Sequence, residues 1–248
     1  MMMMKWLRVL PLLAVAGMAA AAAEPLTIAY RDKPPYSTEE NGQPKGILID
    51  KSLAIFKEAG IEIEFVAMPQ KRITTELEAN QRPMCSPGWY RLPEREAIGP
   101  FTLVIHQDKP QVVLASAKAA PAVRAHAGVK ALLKDHRMKL AIVDGVSYGG
   151  ELDGLIKKLH ESPMRVTVTV LQLARMIAAH RADYMLIDQE DFDYLDRSQE
   201  LSGSGIKTIR FADMPASLPR HFWCSKAVTP QVLRRIDDAI RRLGYDKP

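Results

Sequence analysis

Only two cysteines, Cys85 and Cys224, occur in 248 residues, and aromatic side chains make up 6% of the chain. Two isolated cysteines exclude a C-x-x-C metal site, and leave open either a pair or two unrelated buried thiols. The longest apolar run, Val9 to Ala23, has 15 residues. A membrane-spanning helix needs about 20, so a multi-span membrane protein is excluded. No block of five or six basic residues exists: 34 Lys and Arg are scattered among 29 Asp and Glu, which argues against nucleic acid as a partner. His106, His126, His136, His160, His180 and His221 show no metal-ligand spacing, and no phosphate loop or dinucleotide fingerprint is found, so neither metal nor cofactor is expected.

What is present is a chain 47% apolar and 25% charged, enough to bury a core. Lys5 and Arg8 precede the apolar run and Ala21-Ala22-Ala23 ends it with small side chains, the three regions of a secretory leader. Cleavage after Ala23 would remove two positive charges and bring the net charge from +5 to +3. No cysteine stands at that point to carry a lipid, so a free exported monomer is expected.

Beyond the leader, residues 26–30 read as a strand, 46–60 as a helix closed by Gly60, 61–66 as an alternating strand, 70–80 as a helix and 84–90 as a strand. A second β-α-β-α-β series follows: strand 139–143, helix 148–160, strand 165–170, helix 171–180 and strand 184–187. Further strands are predicted at 206–211 and 221–224, with a helix over 230–243 opened by Pro230. This pattern predicts an α/β protein of two lobes with open, mostly parallel sheets. Ligands of such sheets lie at the carboxyl ends of strands, which directs attention to the loops at 31–36, 86–95, 144–149 and 188–191.

At those loops the sequence resembles the family 3 extracellular solute-binding proteins of polar amino-acid transport. The resemblance rests on Leu26 to Tyr36, with its Pro-Pro-aromatic ending, on Gly46-Ile47-Leu48-Ile49-Asp50, and on Arg91 to Phe101 with Pro93-Glu94-Arg95. It implies a two-lobed periplasmic-binding-protein-like fold of type II joined by two crossover strands, with residues 24–114 and 218–248 in one lobe and 115–217 in the other. It also implies a Cys85–Cys224 disulfide, a small polar, carboxylate- or amino-acid-like solute, and the membrane subunits of an ABC transporter as recipient. Leu48 departs from the family's usual Asp, and Trp89-Tyr90-Arg91 replaces its small hydroxyl residues. An enzyme on the same scaffold, resembling cyclohexadienyl dehydratases, is the alternative, with Asp188 or Glu94 as the acid.

The residue chemistry supplies candidates. Arg95 offers a planar fork for a carboxylate, the clamp position by resemblance, or pairs on the surface with Glu94 or Glu96. Arg91 is a second cation, solvated or near the site. Tyr36, Trp89 and Tyr90 can wall a pocket or pack in the core. Arg72 points into the cleft or lies on a helix surface. Asp188 follows an apolar strand, where it can bind an ammonium or cap the next helix. Gly145-Val146-Ser147-Tyr148-Gly149 fits G-x-S-x-G, with Asp188 or Asp213 and then His221 in hydrolase order. The same segment can instead bind an anion through Ser147 and the backbone N–H groups of a helix start.

Overall fold

The computed structural model describes residues 24–216 and 218–247, so the leader assigned to residues 1–23 lies outside the described residues. In chain order the first half contains β1 (Leu26–Tyr30), a hairpin of β2 (Thr38–Glu40) and β3 (Gln43–Lys45), α1 (Ile47–Ala59), β4 (Ile63–Ala67), α2 (Gln70–Ala79), β5 (Met84–Trp89), the single turn α3 (Pro93–Glu96) and β6 (Phe101–Gln107). The second half contains β7 (Val112–Ala115), α4 (Ala120–Arg124), α5 (Val129–Lys134), β8 (Leu140–Val143), α6 (Gly150–Lys157), β9 (Met164–Val166), α7 (Val170–Ala178), β10 (Tyr184–Ile187), α8 (Gln189–Arg197) and β11 (Lys207–Ile209). The chain then returns through β12 (Pro219–Cys224) to the first sheet and ends in α9 (Pro230–Arg242).

Two five-stranded sheets result, ordered β4-β1-β5-β12-β6 and β11-β7-β10-β8-β9. Each lobe is therefore α/β, as the periodicity predicts, but the sheets are mixed rather than mostly parallel. The ladders β4-β1-β5 and β10-β8-β9 are parallel, whereas β12 runs antiparallel to β5 and β6, and β7 antiparallel to β10 and β11. The strands that run against their neighbours are β7, by which the chain enters the second sheet, and β12, by which it re-enters the first. Because β7 pairs in the second sheet, the chain leaves the first after Gln107, earlier than residue 114. The two connecting segments meet where the Asp108 N–H donates to the Leu218 carbonyl at 3.0 Å.

Alternation along the strands sets the layers. Ile28 and Phe222 face α1 and α9, packing with Phe56 and Ile240, while Ala29 and Trp223 face α2 and its Ile73 and Leu77. Each large apolar side chain buried this way contributes roughly 1.5–3 kcal/mol. In the second sheet Val113, Ile142 and Leu186 face α4 to α6, and Leu114, Ala141 and Met185 face α7 and α8. Leu48 sits in the first core, and a Cβ at Gly88, whose φ is +89°, would lie 2.6 Å from its Cδ1. Glycine at 88 is thus what lets α1 carry a leucine against β5.

The strand predicted over 165–170 stops at Val166 because Thr169 caps α7: its hydroxyl accepts from the Gln172 N–H at 3.2 Å and Gln172 reciprocates at 2.9 Å. That Thr-x-x-Gln box outcompetes the β-branched run. Among the described residues no helix is long and apolar enough to cross a membrane.

Cys224 pairs with Cys85 across β12 and β5, with Cα atoms 4.0 Å apart, and the two sulfurs are bonded. The bond joins residues 139 positions apart. Loop-closure entropy gives it an upper stabilisation of about 5 kcal/mol. Thermal melts with and without reductant should therefore differ by more than 5 °C in the wild type and not at all in a Cys85→Ser/Cys224→Ser variant; alkylation of the unreduced, unfolded protein should label no thiol.

Candidate functional site

Four loops converge where the two sheets face each other. Arg31 and Lys33 follow β1, Trp89 and Tyr90 end β5, Ser147 lies in the turn after β8, and Asp188 follows β10. All stand at carboxyl ends of strands. Arg220 is the second residue of β12, and the antiparallel direction of that strand brings it to the same edge. Together they enclose a cleft narrowed to about 20 Å³. A larger cavity of about 220 Å³ adjoins through Tyr90, but its walls include Tyr148, Leu152, Pro215 and Leu218 and it lacks the guanidinium groups. The narrow cleft is therefore the candidate site.

Charge holds the cleft together. Arg220 donates from Nε to Asp108 at 2.6 Å and from Nη2 to Asp188 at 2.8 Å, and lies over the rings of Tyr36 and Tyr90 at 4.3 and 4.7 Å. Tyr90 donates its phenol proton to Asp108 at 2.6 Å. Lys33 Nζ bridges Asp188 at 2.7 Å and Asp191 at 2.9 Å. Burial disfavours the ionised form of Asp188, but the charges of Lys33 and Arg220 overcome it and hold that carboxyl far below the usual range. For Asp191 burial wins: it is pushed up to about 6 against the pull of Lys33, with the Asp188 charge adding to the rise. Its Oδ1 is buried without a hydrogen-bond partner. Further bridges between the lobes run from the Gln70 amide to the Gly145 carbonyl, from Lys71 to Asp144 at 2.9 Å and from Tyr36 to Glu190 at 3.2 Å.

Arg95 reaches the cleft, gives one donor to the Tyr90 carbonyl at 2.9 Å, and lies 5.0 Å from the Trp89 ring centroid. Burial lowers its pKa while Glu94 and Asp153 oppose the shift. Trp89, Tyr90, Ser147 and Asp188 line the same cleft, with Tyr36 directly behind, under Arg220 and Lys33. Asp188 occupies the N-cap position of α8 without capping it, because its oxygens face Lys33, Arg220 and Gln111.

Arg72 is not brought to the cleft. Its side chain is 67% exposed and pairs with Glu76 one helical turn on, because the α2 face that packs inward carries Ile73 and Leu77 instead. Arg91 is likewise exposed and paired with Glu96. The hydrolase constellation does not assemble. The Ser147 hydroxyl donates to Asp153, Asp213 binds the backbone of Val129 and Lys130, and His221 Nδ1 lies 2.8 Å from the Thr102 carbonyl. Of the anion site read from the same turn, the Ser147 hydroxyl and the Tyr148 N–H, the latter at 2.8 Å, are already held by Asp153 of α6.

Sequence reasoning missed Arg31, Lys33 and Arg220. The first two lie in the loop at 31–36 that the strand pattern marks, and a lone arginine inside the apolar run Pro219 to Cys224 was the available signal for the third. A charge on an otherwise apolar strand must find a buried partner.

Among solved structures the fold matches that of an arginine-, lysine-, histidine-binding protein, ArtJ, from the thermophilic bacterium Geobacillus stearothermophilus, with a TM-score of 0.70, 15% identity and 89% of each chain covered. A histidine kinase sensor domain with similarity to periplasmic binding proteins gives a TM-score of 0.70 at 18% identity, covering 90% of this chain and 93% of that one. An ancestral amino acid-binding protein, a precursor of cyclohexadienyl dehydratase, gives 0.67 at 21%, covering 89% and 92%. Such identities establish the fold alone. No curated protein matches in sequence. The sequence profile of the bacterial extracellular solute-binding proteins, family 3, matches residues 26–246, nearly the whole described chain, and the protein belongs to that family.

Proposed function

We propose that this protein captures a small polar solute carrying an anionic group between its two lobes, outside the cytoplasm, and delivers it to an ABC-type transporter. One observation carries the reading: the Arg95 guanidinium enters the cleft with donors to spare, braced by Trp89 and by the Tyr90 carbonyl. A guanidinium held in this way presents a fixed fork to a carboxylate. The ion pairs across the cleft are the contacts that domain closure around a solute makes and breaks. The dehydratase alternative needs a carboxylic acid against the solute. Asp188 lines the cleft but is held ionised, Glu94 is exposed, and Asp191, with its raised pKa, does not line the cavity. Binding is the reading that fits those three positions.

Native mass spectrometry of the protein purified from its export compartment should show a stoichiometric small-molecule adduct. With that solute, Arg95→Lys keeps the charge but loses the fork. Calorimetry should give an affinity at least about 30-fold weaker, corresponding to about 2 kcal/mol, with the melting temperature of the empty protein nearly unchanged. Unaltered affinity, or an equal loss of stability in the empty protein, would assign Arg95 to scaffolding.

The Asp188–Asp191 pair on Lys33 gives a pH dependence. Asp191 binds its proton more tightly folded, near pH 6, than unfolded, near the usual carboxylate value, so its contribution to stability rises as the pH falls from 7 to 5. Asp188, depressed by its cations, contributes stability above its unfolded pKa and loses it only on further acidification. Wild type should therefore gain on the order of 1–3 kcal/mol relative to Asp191→Asn between pH 7 and 5. Parallel stability curves for the two proteins would overturn the assignment.

A further inference from the structure

We infer that the solute is a small dianion that carries no ammonium group. This rests on the binding role proposed above and narrows it to a ligand class. An amino-acid site must keep a carboxylate free to receive the ligand's ammonium, because a buried cation left without one is strongly disfavoured. Here Asp188, the acid that lines the cleft, is taken, and Asp191 and Asp108 behind it are each paired with a cation of the chain, although the Asp191 Oδ1 has no hydrogen bond. Asp188 accepts from Lys33 at 2.7 Å and Arg220 at 2.8 Å on one oxygen, and from the Gln111 amide at 3.2 Å on the other. Asp191 shares the Lys33 ammonium at 2.9 Å, and Asp108 is bound by Arg220 and by the Tyr90 phenol. Lys33 thus supplies, from the chain itself, the ammonium that a bound amino acid would bring.

The opposite imbalance holds on the cationic side. Among the described residues the Arg31 guanidinium has neither a hydrogen-bond acceptor nor a carboxylate within 4 Å, although it faces the cleft and lies 5.9 Å from the Trp89 ring centroid. Burial and the neighbouring Arg220 push its pKa down to about 10, against the pull of Asp191 and Asp188. Arg95, on the same indole at 5.0 Å, spends one donor on the Tyr90 carbonyl. Once Lys33 and Arg220 are matched to Asp188, Asp191 and Asp108, the Arg31 and Arg95 guanidiniums remain without a carboxylate partner of their own, with one negative charge of the three acids to share between them. Two planar forks beside one indole, both lining the cleft, fit an anion of two negative charges, either a dicarboxylate or a tetrahedral oxyanion.

The test compares ligands that differ only in the α-ammonium. Calorimetric titration of the unliganded mature protein with succinate against aspartate, and glutarate against glutamate, should favour the unaminated member of a pair by about tenfold or more. Inorganic phosphate and sulfate form a third arm. Binding there with silent dicarboxylates would support the dianion and identify it as tetrahedral. Arg31→Gln should weaken whichever dianion binds by about tenfold or more, with the melting temperature reported alongside. Lys33→Met removes the internal ammonium and should shift the preference toward the amino acid of the pair, a change that lost stability alone would not produce. Tighter binding of aspartate or glutamate by the wild type, or a retained solute that is neutral or cationic, would overturn the inference and leave the solute-binding role standing. Absence of any adduct together with no binding in any arm would overturn both.

Discussion

The Arg220 guanidinium is the group on which the geometry of the cleft depends. It sits on β12 where the chain returns to the first sheet, and it touches both lobes at once: Asp108 on the outgoing connection, Tyr90 at the end of β5, and Asp188 at the end of β10. Burial opposes its charge, and the oxygens of Tyr90, Asp108, Tyr36 and Asp188 more than restore it, raising its pKa well above the ordinary value. An unpaired charge in that position would cost several kcal/mol, so the partners are fixed as firmly as the arginine is. Tyr36 and Tyr90 are ordered by it, their rings packed beneath and beside the guanidinium plane. Tyr36 and Tyr90 therefore serve as walls of the cation as much as walls of a pocket.

Much of this architecture is legible in the residues. The helical spacing in 46–60, ended by Gly60 in the left-handed conformation at φ +62°, becomes α1, and the apolar run Tyr184 to Ile187 becomes a fully buried strand. Local signals suffice there because burial and capping agree. Where two local signals compete, the sequence is a poorer guide: residues 167–170 are β-branched, yet the hydrogen bonds of the Thr169–Gln172 box place them before and within a helix. Sheet membership was the least legible feature. Whether Val112 to Ala115 joins the first sheet or the second depends on pairing with β10 and β11, more than 60 residues away.

The site was legible in its loops and less so in its residues. Strand ends pointed to 31–36 and 188–191, and those loops do meet, but the resemblance put the weight on aromatic and clamp positions and passed over the cations between them. Ser147 and Arg72 show why type and spacing are insufficient. A serine before a helix looks like an anion contact until Asp153, on that helix, bends back to take its hydroxyl and the following N–H. An arginine at a helix start faces the cleft or solvent according to which neighbours are apolar, and Ile73 and Leu77 decide it.

Closure and affinity are linked through the same ion pairs. In a binding protein whose lobes close only on the ligand, the solute's own contacts must supply the whole difference between open and closed. Here Lys33, Arg220 and Lys71 contribute salt bridges across the cleft from the chain itself, two of them sheltered from water. A sheltered pair is screened little by salt, whereas the exposed Lys71–Asp144 pair adds a fraction of a kcal/mol and weakens as ionic strength rises. Such pairs favour the arrangement seen here over one with the lobes apart, which lowers the cost of ordering the lobes around a ligand. The consequence for selectivity follows directly. If the cleft binds a solute as proposed, a ligand that competes for Asp188 would have to break its pairs with Lys33 and Arg220, while one that engages only Arg31 and Arg95 would leave them intact.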